Sequence, residues 1–351
     1  MGLSESDIEE IRQEVQFSKR PLIFYHDDPD GVSSYLLFLR AIGDGKGVIV
    51  KTRPNIDMKF IHKVEEYDPD RIFILDIAMV EQEFIDNANR PIVWIDHHGV
   101  MDRRKVKYFN PRIKDASDNV PVSTLSYQIL ERDIWIAMVG AVGDWTLPPF
   151  TDKFREKYPG LLPDDIKRPQ DALFASPVGT LVKVFSFVLK GTTGDALKHV
   201  KLLSKIESPY EILEQQSEAG KKIYKRYLQI NKPYEQLLND IMRKVGKDRM
   251  IVYTYPENKM SFTGDVTNEL LYRYPDKVIL VGRVKDGEVK CSLRSPSSIV
   301  INSMLEKALS GIQGYGGGHE HACGVVVKHE QFKEFVDNLK KELTQEKPKI
   351  P

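Results

Sequence analysis

The stretch that most constrains the fold is Trp94-Ile95-Asp96-His97-His98-Gly99, where an apolar run from Pro91 to Ile95 stops abruptly in an acid and two histidines. So uniformly apolar a run predicts a strand buried on both faces, which a parallel sheet covered by helices provides. Buried parallel strands discharge their polar residues at the carboxyl edge, where α/β proteins build sites. The rest of the chain has to supply neighbours for such a strand.

It does so repeatedly. Residues 21–25 read as a buried strand, His26-Asp27-Asp28-Pro29-Asp30-Gly31 as a tight loop, and 32–42 as the helix after it. A strand over 47–51, a helix near 57–66, a strand over 71–75 and a helix over 81–88 precede the strand at 91–95. A further strand is expected near 106–109, then helices over about 122–131 and 134–142, the second running into Gly143-Asp144-Trp145. Ahead of all these, Ile8, Ile11 and Val15 keep helical spacing and predict a short amphipathic helix. This alternation predicts an α/β fold: an N-terminal doubly wound, mainly parallel sheet with helices on both faces.

From about 151 to 246 the chain shifts to charged helices, including an amphipathic stretch over 210–245 expected to be interrupted near Gly220 and Pro233. This predicts a helical connector. Strand signals return at 250–255, and 277–284 and 288–293 are joined by the hairpin pair Asp286-Gly287. A helix near 298–309, the glycine cluster Gly314-Tyr315-Gly316-Gly317-Gly318-His319, a strand over 324–328 and a helix over about 331–343 make a smaller C-terminal α/β domain. The expected division is 1–150, 151–246, 247–345 and a tail over 346–351.

Charge and cysteine content exclude several classes. Of 351 residues, 51 are basic and 51 acidic, so no net field draws the chain to nucleic acid or an anionic membrane. A polyanion has to be met by a local patch. Two cysteines, Cys291 and Cys323, are too few for a disulfide framework or a cysteine-built zinc site, which points to a reducing, cytoplasmic compartment. The N-terminus is acidic and the apolar run over 178–189 is short and carries Lys183, so neither a signal peptide nor a membrane span is expected.

Three of the expected strands end in chemistry: His26, Asp28 and Asp30 after the first, Asp76 after 71–75, and Asp96, His97 and His98 after 91–95. Asp144 adds a fourth group. Singly, each has a plainer role, since an Asp after a strand commonly caps the next helix and paired histidines are often ordinary surface or core residues. Gathered on one sheet edge, they favour a metal. Alternate residues of the extended His26-x-Asp28-x-Asp30 loop point the same way, and Gly31 permits the turn into the helix. Carboxylates and imidazoles without thiolate are the donor set of Mn²⁺ or Mg²⁺, with Zn²⁺ less favoured. Two such ions about 3.5 to 4 Å apart, bridged by a carboxylate, clamp the attacking and leaving oxygens in phosphoryl chemistry and supply a hydroxide nucleophile.

With these residues in place, the chain resembles the DHH phosphoesterase superfamily, whose naming triplet is Asp96-His97-His98 here. His26-x-Asp28-x-Asp30-Gly31 is similar to the family's first motif, Asp76 to the second, and Gly140-Ala141-Val142-Gly143-Asp144 to the fourth. Ser292-Leu293-Arg294-Ser295 and Gly316-Gly317-Gly318-His319-x-x-Ala322-x-Gly324 resemble the associated DHHA1 domain. The resemblance implies a catalytic domain at 1–150, a substrate-binding domain at 247–345 and an active-site cleft between them. It implies that His26, Asp28 and Asp76 hold one metal, and that Asp30, Asp76, His97 and Asp144 hold the other. Asp76 would bridge, His98 would face the scissile phosphate, and Asp96 would orient its neighbours from behind. Arg294, Gly316, Gly317, Gly318 and His319 would grip the substrate: Arg294 by a bidentate hold on a phosphate, the glycines by close backbone approach, His319 as a donor. His319, His321 and Cys323 alternate like a metal site but lack a fourth ligand.

The superfamily includes RecJ-type single-strand exonucleases, nanoRNases, cyclic-dinucleotide phosphodiesterases and inorganic pyrophosphatases. The DHHA1 motif argues for a nucleotide substrate, and the compact size and connector resemble archaeal RecJ-like nucleases. The expectation is therefore a Mn²⁺-dependent exonuclease on single-stranded DNA or RNA, digesting 3′ to 5′, with Mg²⁺ as the second choice of metal. The alternatives are a nanoRNase or cyclic-dinucleotide phosphodiesterase on short substrates, or an accessory protein of a replication or repair complex. Implied partners are single strands or short oligonucleotides, a replication or repair protein such as a helicase, and a second copy in a homodimer. Two basic runs with aromatics, residues 103–108 and 221–227, are candidate strand-tracking surfaces or simply solvated faces.

Overall fold

A computed structural model of the chain describes residues 2–51, 55–257 and 260–345, so the tail expected over 346–351 lies outside the described residues. The chain divides into two compact units, Met1–Leu228 and Gln229–Pro351.

The first unit is built on five strands, β1 (Leu22–His26), β2 (Lys46–Val50), β3 (Ile72–Leu75), β4 (Ile92–Ile95) and β5 (Lys107–Phe109), all parallel in the order β2-β1-β3-β4-β5. Both faces are buried, as the apolar runs require. Side chains alternate across a strand, so Leu22, Phe24, Ile72, Ile74, Ile92 and Trp94 share one face and pack with Val64 of α3 (Ile61–Tyr67) and Phe84, Ile85 and Ala88 of α4 (Gln82–Ala88). The alternate residues turn to α2 (Pro29–Ile42): Tyr25 stacks on Tyr35 at 4.3 Å and Phe73 meets Phe38 at 5.3 Å between ring centroids. α1 (Glu5–Phe17) opens the chain behind a Ser4–Asp7 capping box. α5 (Val122–Leu130) and the almost wholly buried α6 (Ile134–Gly143) pack on α2.

The helices of the connector pack against this first unit. Trp135 of α6 lies edge-on to Phe185 of α7 (Pro177–Val188), with ring centroids 6.0 Å apart, and Lys51 Nζ donates to the Leu189 carbonyl. The amphipathic stretch is interrupted over 214–217, just ahead of Gly220, but not at Pro233: helix α8 (Glu218–Met242) runs through both Gly220 and Pro233. Gly220 is there for proximity rather than as a break, because a Cβ would lie 1.8 Å from the Glu211 carbonyl oxygen. Pro233 forfeits one helical hydrogen bond at a cost of about 3 kcal/mol. Burial of Ile223, Ile230, Tyr234, Leu238 and Ile241 along one stripe outweighs that loss.

The second unit carries β6 (Met250–Pro256), β7 (Val278–Lys285), β8 (Glu288–Arg294), β9 (Gly314–His319) and β10 (Ala322–Lys328), in the order β9-β10-β8-β7-β6. Only β6 and β7 pair parallel; the others are antiparallel. The glycine cluster is thus an edge strand, with every residue exposed. α9 (Thr263–Arg273), absent from the sequence expectation, joins β6 to β7, while α10 (Ile301–Ala308) and α11 (Phe332–Gln345) bury the core face. Among the described residues no single helix is long and apolar enough to cross a membrane.

Candidate metal centre

A sheet ordered β2-β1-β3-β4-β5 reverses its winding between β1 and β3 and opens a crevice beyond their carboxyl ends. His26 ends β1 and Asp76 follows β3, so both stand at that switch point. Asp96, His97 and His98 leave β4 beside them. Two further acids arrive on helices. A Cβ at Gly140 of α6 would lie 2.5 Å from Ser123 Cβ and 2.8 Å from Ser33 Cβ, so α2, α5 and α6 meet at their smallest residues. That contact carries Asp30, in the first turn of α2, and Asp144, at the end of α6, to the same edge.

Asp28 caps its own helix by accepting the Gly31 N–H at 2.8 Å. Asp30 caps a different one. Its Oδ2 accepts the Val122 N–H at 2.8 Å and its Oδ1 the Ser123 N–H at 2.9 Å, at the positive end of α5, where the N-cap Pro121 makes no side-chain hydrogen bond. Asp76 is 1% exposed and sits at φ 59°, a left-handed conformation that costs a non-glycine residue about 1 kcal/mol or more.

The side chains converge in three groups whose donor atoms lie within 4.8 Å of one another: His26, Asp28 and Asp76; Asp30, His97 and Asp144; and Asp76, His97 and His98. Asp76 is shared through separate oxygens, Oδ2 lying 3.5 Å from His26 Nδ1 and Oδ1 lying 3.4 Å from His97 Nε2. The other nitrogen of His97, Nδ1, lies 3.7 Å from Asp144 Oδ2. Asp96, fully buried, contacts His98 Nδ1 through Oδ1 at 2.8 Å and accepts the His98 backbone N–H through Oδ2 at 3.0 Å.

The electrostatics are those of a site short of positive charge. Burial and the Asp28 and Asp30 carboxylates push Asp76 well above the usual carboxylate range. Burial, then Asp30, pushes Asp144 up to about 8. Burial lowers the His26 pKa, but the Asp28 and Asp76 carboxylates outweigh it and carry the imidazole to about 11. Asp76 Oδ2, Asp144 Oδ2 and His97 Nδ1 are buried without a hydrogen bond. Orphaned oxygen and nitrogen donors converging on one place, with no thiolate among them, fit divalent cations of the Mn²⁺ or Mg²⁺ type.

One residue here was not anticipated. Asn110 Nδ2 donates to the His98 carbonyl at 3.0 Å and to Tyr108 Oη at 2.8 Å, with Asp96 Oδ2 at 3.4 Å, so it holds the triplet from the β5 side. The available signal was its place just past a fifth parallel strand. The run over 103–108 is largely occupied within the fold: Lys105 pairs with Asp86, Lys107 with Glu10 and Glu14, and Tyr108 stacks on Trp94. In the run over 221–227, Lys221 pairs with Glu218, Arg226 donates to the Lys190 carbonyl, and Ile223 and Tyr227 are buried.

The remaining candidates lie in the second unit. Arg294 ends β8 half-buried, its Nε donating to Asn268 Oδ1 of α9 at 2.8 Å. Its partner in the ladder is Ala322, which in turn pairs with His319, so Arg294 and His319 point from one face of the sheet. Gly316, Gly317 and Gly318 precede His319 on the exposed edge. Cys323 instead faces the core, with Sγ on the His319 carbonyl, so His319, His321 and Cys323 do not converge.

Residues 20–141 match the DHH family, N-terminal domain, and residues 247–345 match the DHHA1 domain. The chain therefore has the DHH plus DHHA1 architecture. Among solved structures it is similar to RecJ from Thermus thermophilus in complex with Mn²⁺, at 14% identity and TM-score 0.67, over 99% of this chain and 56% of that one. It is also similar to an exonuclease RecJ bound to manganese, at 16% identity and TM-score 0.59 over 99% and 96%. A third likeness is to the DHH domain of a member of the s1p family of ribosomal proteins, at 14% identity and TM-score 0.62 over 99% and 93%. At these identities the likeness is one of fold, and the chain spans 56% of the length of the Thermus RecJ. No curated protein matches in sequence.

Proposed function

We propose that the chain is a Mn²⁺-dependent phosphodiesterase that acts as an exonuclease on single-stranded DNA or RNA, digesting 3′ to 5′ and releasing mononucleotides. The observation that carries this reading is the convergence of His26, Asp28, Asp30, Asp76, His97 and Asp144 on one edge, with Asp76 facing both histidines. Similarity in fold to RecJ proteins crystallised with manganese supports it.

In this reading His26, Asp28 and Asp76 hold one cation, and Asp30, Asp76, His97 and Asp144 the other. When bound, two such ions activate water and neutralise charge developing on the phosphoryl oxygens. The protein's own residues do the positioning. Both oxygens of Asp30 are anchored by the N-terminus of α5, so that carboxylate cannot swing away. Burial lowers the His98 pKa, and its bond to Asp96 more than offsets this, which favours the protonated ring, the form whose second N–H would donate to a phosphate oxygen. Arg294, fixed by Asn268, and His319 grip a neighbouring phosphate.

The test is digestion of 5′-labelled and 3′-labelled single-stranded DNA and RNA with Mn²⁺, beside a dinucleotide and a cyclic dinucleotide. The expected result is a ladder of shortening 5′-labelled products and mononucleotide release. Trimming of only the shortest oligomers gives the nanoRNase alternative its place. Hydrolysis that survives Asp76→Ala refutes the two-cation assignment.

A further inference from the structure

The Arg294–His319 row is one of three on the face of the second sheet turned away from α10 and α11, a face that α9 covers only in part. Register aligns Arg294, Ala322 and His319 in one row, Ser292, Gly324 and Gly317 in the next, and Lys290, Val326 and Tyr315 in a third. Residues opposite one another in a ladder share a face, so all three rows look the same way. The intervening Val289, Cys291, Leu293, Cys323, Val325 and Val327 point to the other side, into the core. Over the open rows lies a trough of about 350 Å³ lined by Thr263, Lys290, Tyr315, Gly317, Gly324 and Val326.

The glycines of this strand pair fall into two kinds. Gly314, Gly316 and Gly318 are required by the fold, because a Cβ would come within 2.4, 2.9 and 2.3 Å of a backbone oxygen. Gly317 and Gly324 are not. They face each other in register, neither has a positive φ, and a Cβ on either would meet nothing within 4 Å. A strand glycine costs conformational entropy and contributes no packing. With no demand from inside the fold, a bare floor suits something that approaches the backbone from outside.

At the far end of that floor Tyr315 is 66% exposed, and Lys290 is exposed and makes no ion pair among the described residues. An exposed aromatic beside an unpaired cation is the sequence-tolerant equipment for a single strand, one stacking on a base and the other meeting a phosphate. From Arg294 to Lys290 is four residues of strand, about 13 Å, longer than one nucleotide.

We propose that the trough is a second nucleotide subsite, in which Tyr315 stacks on a base and Lys290 pairs with a phosphate of the strand beyond the one held at the Arg294–His319 row. It rests on the reading of the chain as a nuclease of single strands and adds a source of length preference. At about 13 Å the two rows are too far apart for one nucleotide to occupy both, whereas a longer strand has the length to do so.

The experiment measures kcat and KM of the full chain with Mn²⁺ on a thymidine dinucleotide and an octanucleotide. Tyr315→Ala and Lys290→Ala are each expected to lower the octanucleotide-to-dinucleotide ratio of kcat/KM about tenfold, through KM, while Tyr315→Phe and Lys290→Arg retain it. In chelator, anisotropy of the labelled octanucleotide is expected to report a similar loss of affinity. A ratio and an affinity unchanged in both alanine variants overturn the subsite alone. Failure of the unsubstituted protein to hydrolyse either substrate overturns the nuclease reading and the subsite with it.

Discussion

Asp76→Asn is expected to have opposite effects on stability with and without metal. Asp76 is buried at φ 59° between Asp28, Asp30 and two histidines, and burial and its acidic neighbours raise its pKa. A carboxyl whose folded pKa is raised contributes stability below its unfolded pKa, here near 3.8, and loses it as pH rises towards the folded value. At neutral pH in chelator the aspartate therefore weakens the fold. Asparagine removes the charge, keeps the shape and tolerates the left-handed backbone, so the variant should melt higher than the original protein, by a margin that widens from pH 4 towards neutrality. Divalent metal reverses the order. An ion at a hundred times its Kd stabilises by about 2.7 kcal/mol. In a unit of 228 residues this raises Tm by about 5 to 11 °C per ion. Because the two oxygens of Asp76 face different histidines, its loss should abolish binding of both ions, whereas His26→Ala should remove one. Calorimetric melting in EDTA and in Mn²⁺, with metal counted by mass spectrometry, reads all of this. Two ions retained by Asp76→Asn, or a lower melting point in EDTA than the original, would refute the shared-carboxylate argument.

Asp30→Ala should behave in the opposite sense in chelator, because it leaves the buried Val122 and Ser123 N–H groups without acceptors. Each orphan costs about 1 to 3 kcal/mol, more than relief of repulsion returns, so Tm should fall; a rise would mean that α5 does not depend on this cap. Gly140→Ala gains up to about 1 kcal/mol of helix propensity, yet places a Cβ 2.5 Å from Ser123 Cβ, where overpacking costs about 1 to 3 kcal/mol. Denaturant unfolding should show net destabilisation, and a stabilised variant would mean that α5 and α6 have room to separate.

Much of this was legible in the chain because parallel strands buried on both faces announce themselves as apolar runs, and the polar residues that end them fall on one edge. The ends of β1, β3 and β4 follow directly from Leu75-Asp76 and from Ile95-Asp96 and its counterpart at Tyr25-His26. What local pattern does not carry is which helix terminus a carboxylate will meet. Asp30 looks like an ordinary cap of its own helix, and its bonds to Val122 and Ser123 cross 92 and 93 residues of sequence. The same holds for glycine and proline, whose local meaning is to interrupt. Gly220 and Pro233 lie inside one continuous helix because its buried stripe outweighs both. In Gly314–His319 the ladder to β10 makes a strand of a glycine-rich run that propensity alone disfavours. In each case a tertiary contact worth several kcal/mol overrides a local preference worth about one to three. The two glycines that no tertiary contact demands, Gly317 and Gly324, stand out for that reason: where neither propensity nor packing calls for a residue, the remaining physical source of constraint is what binds there.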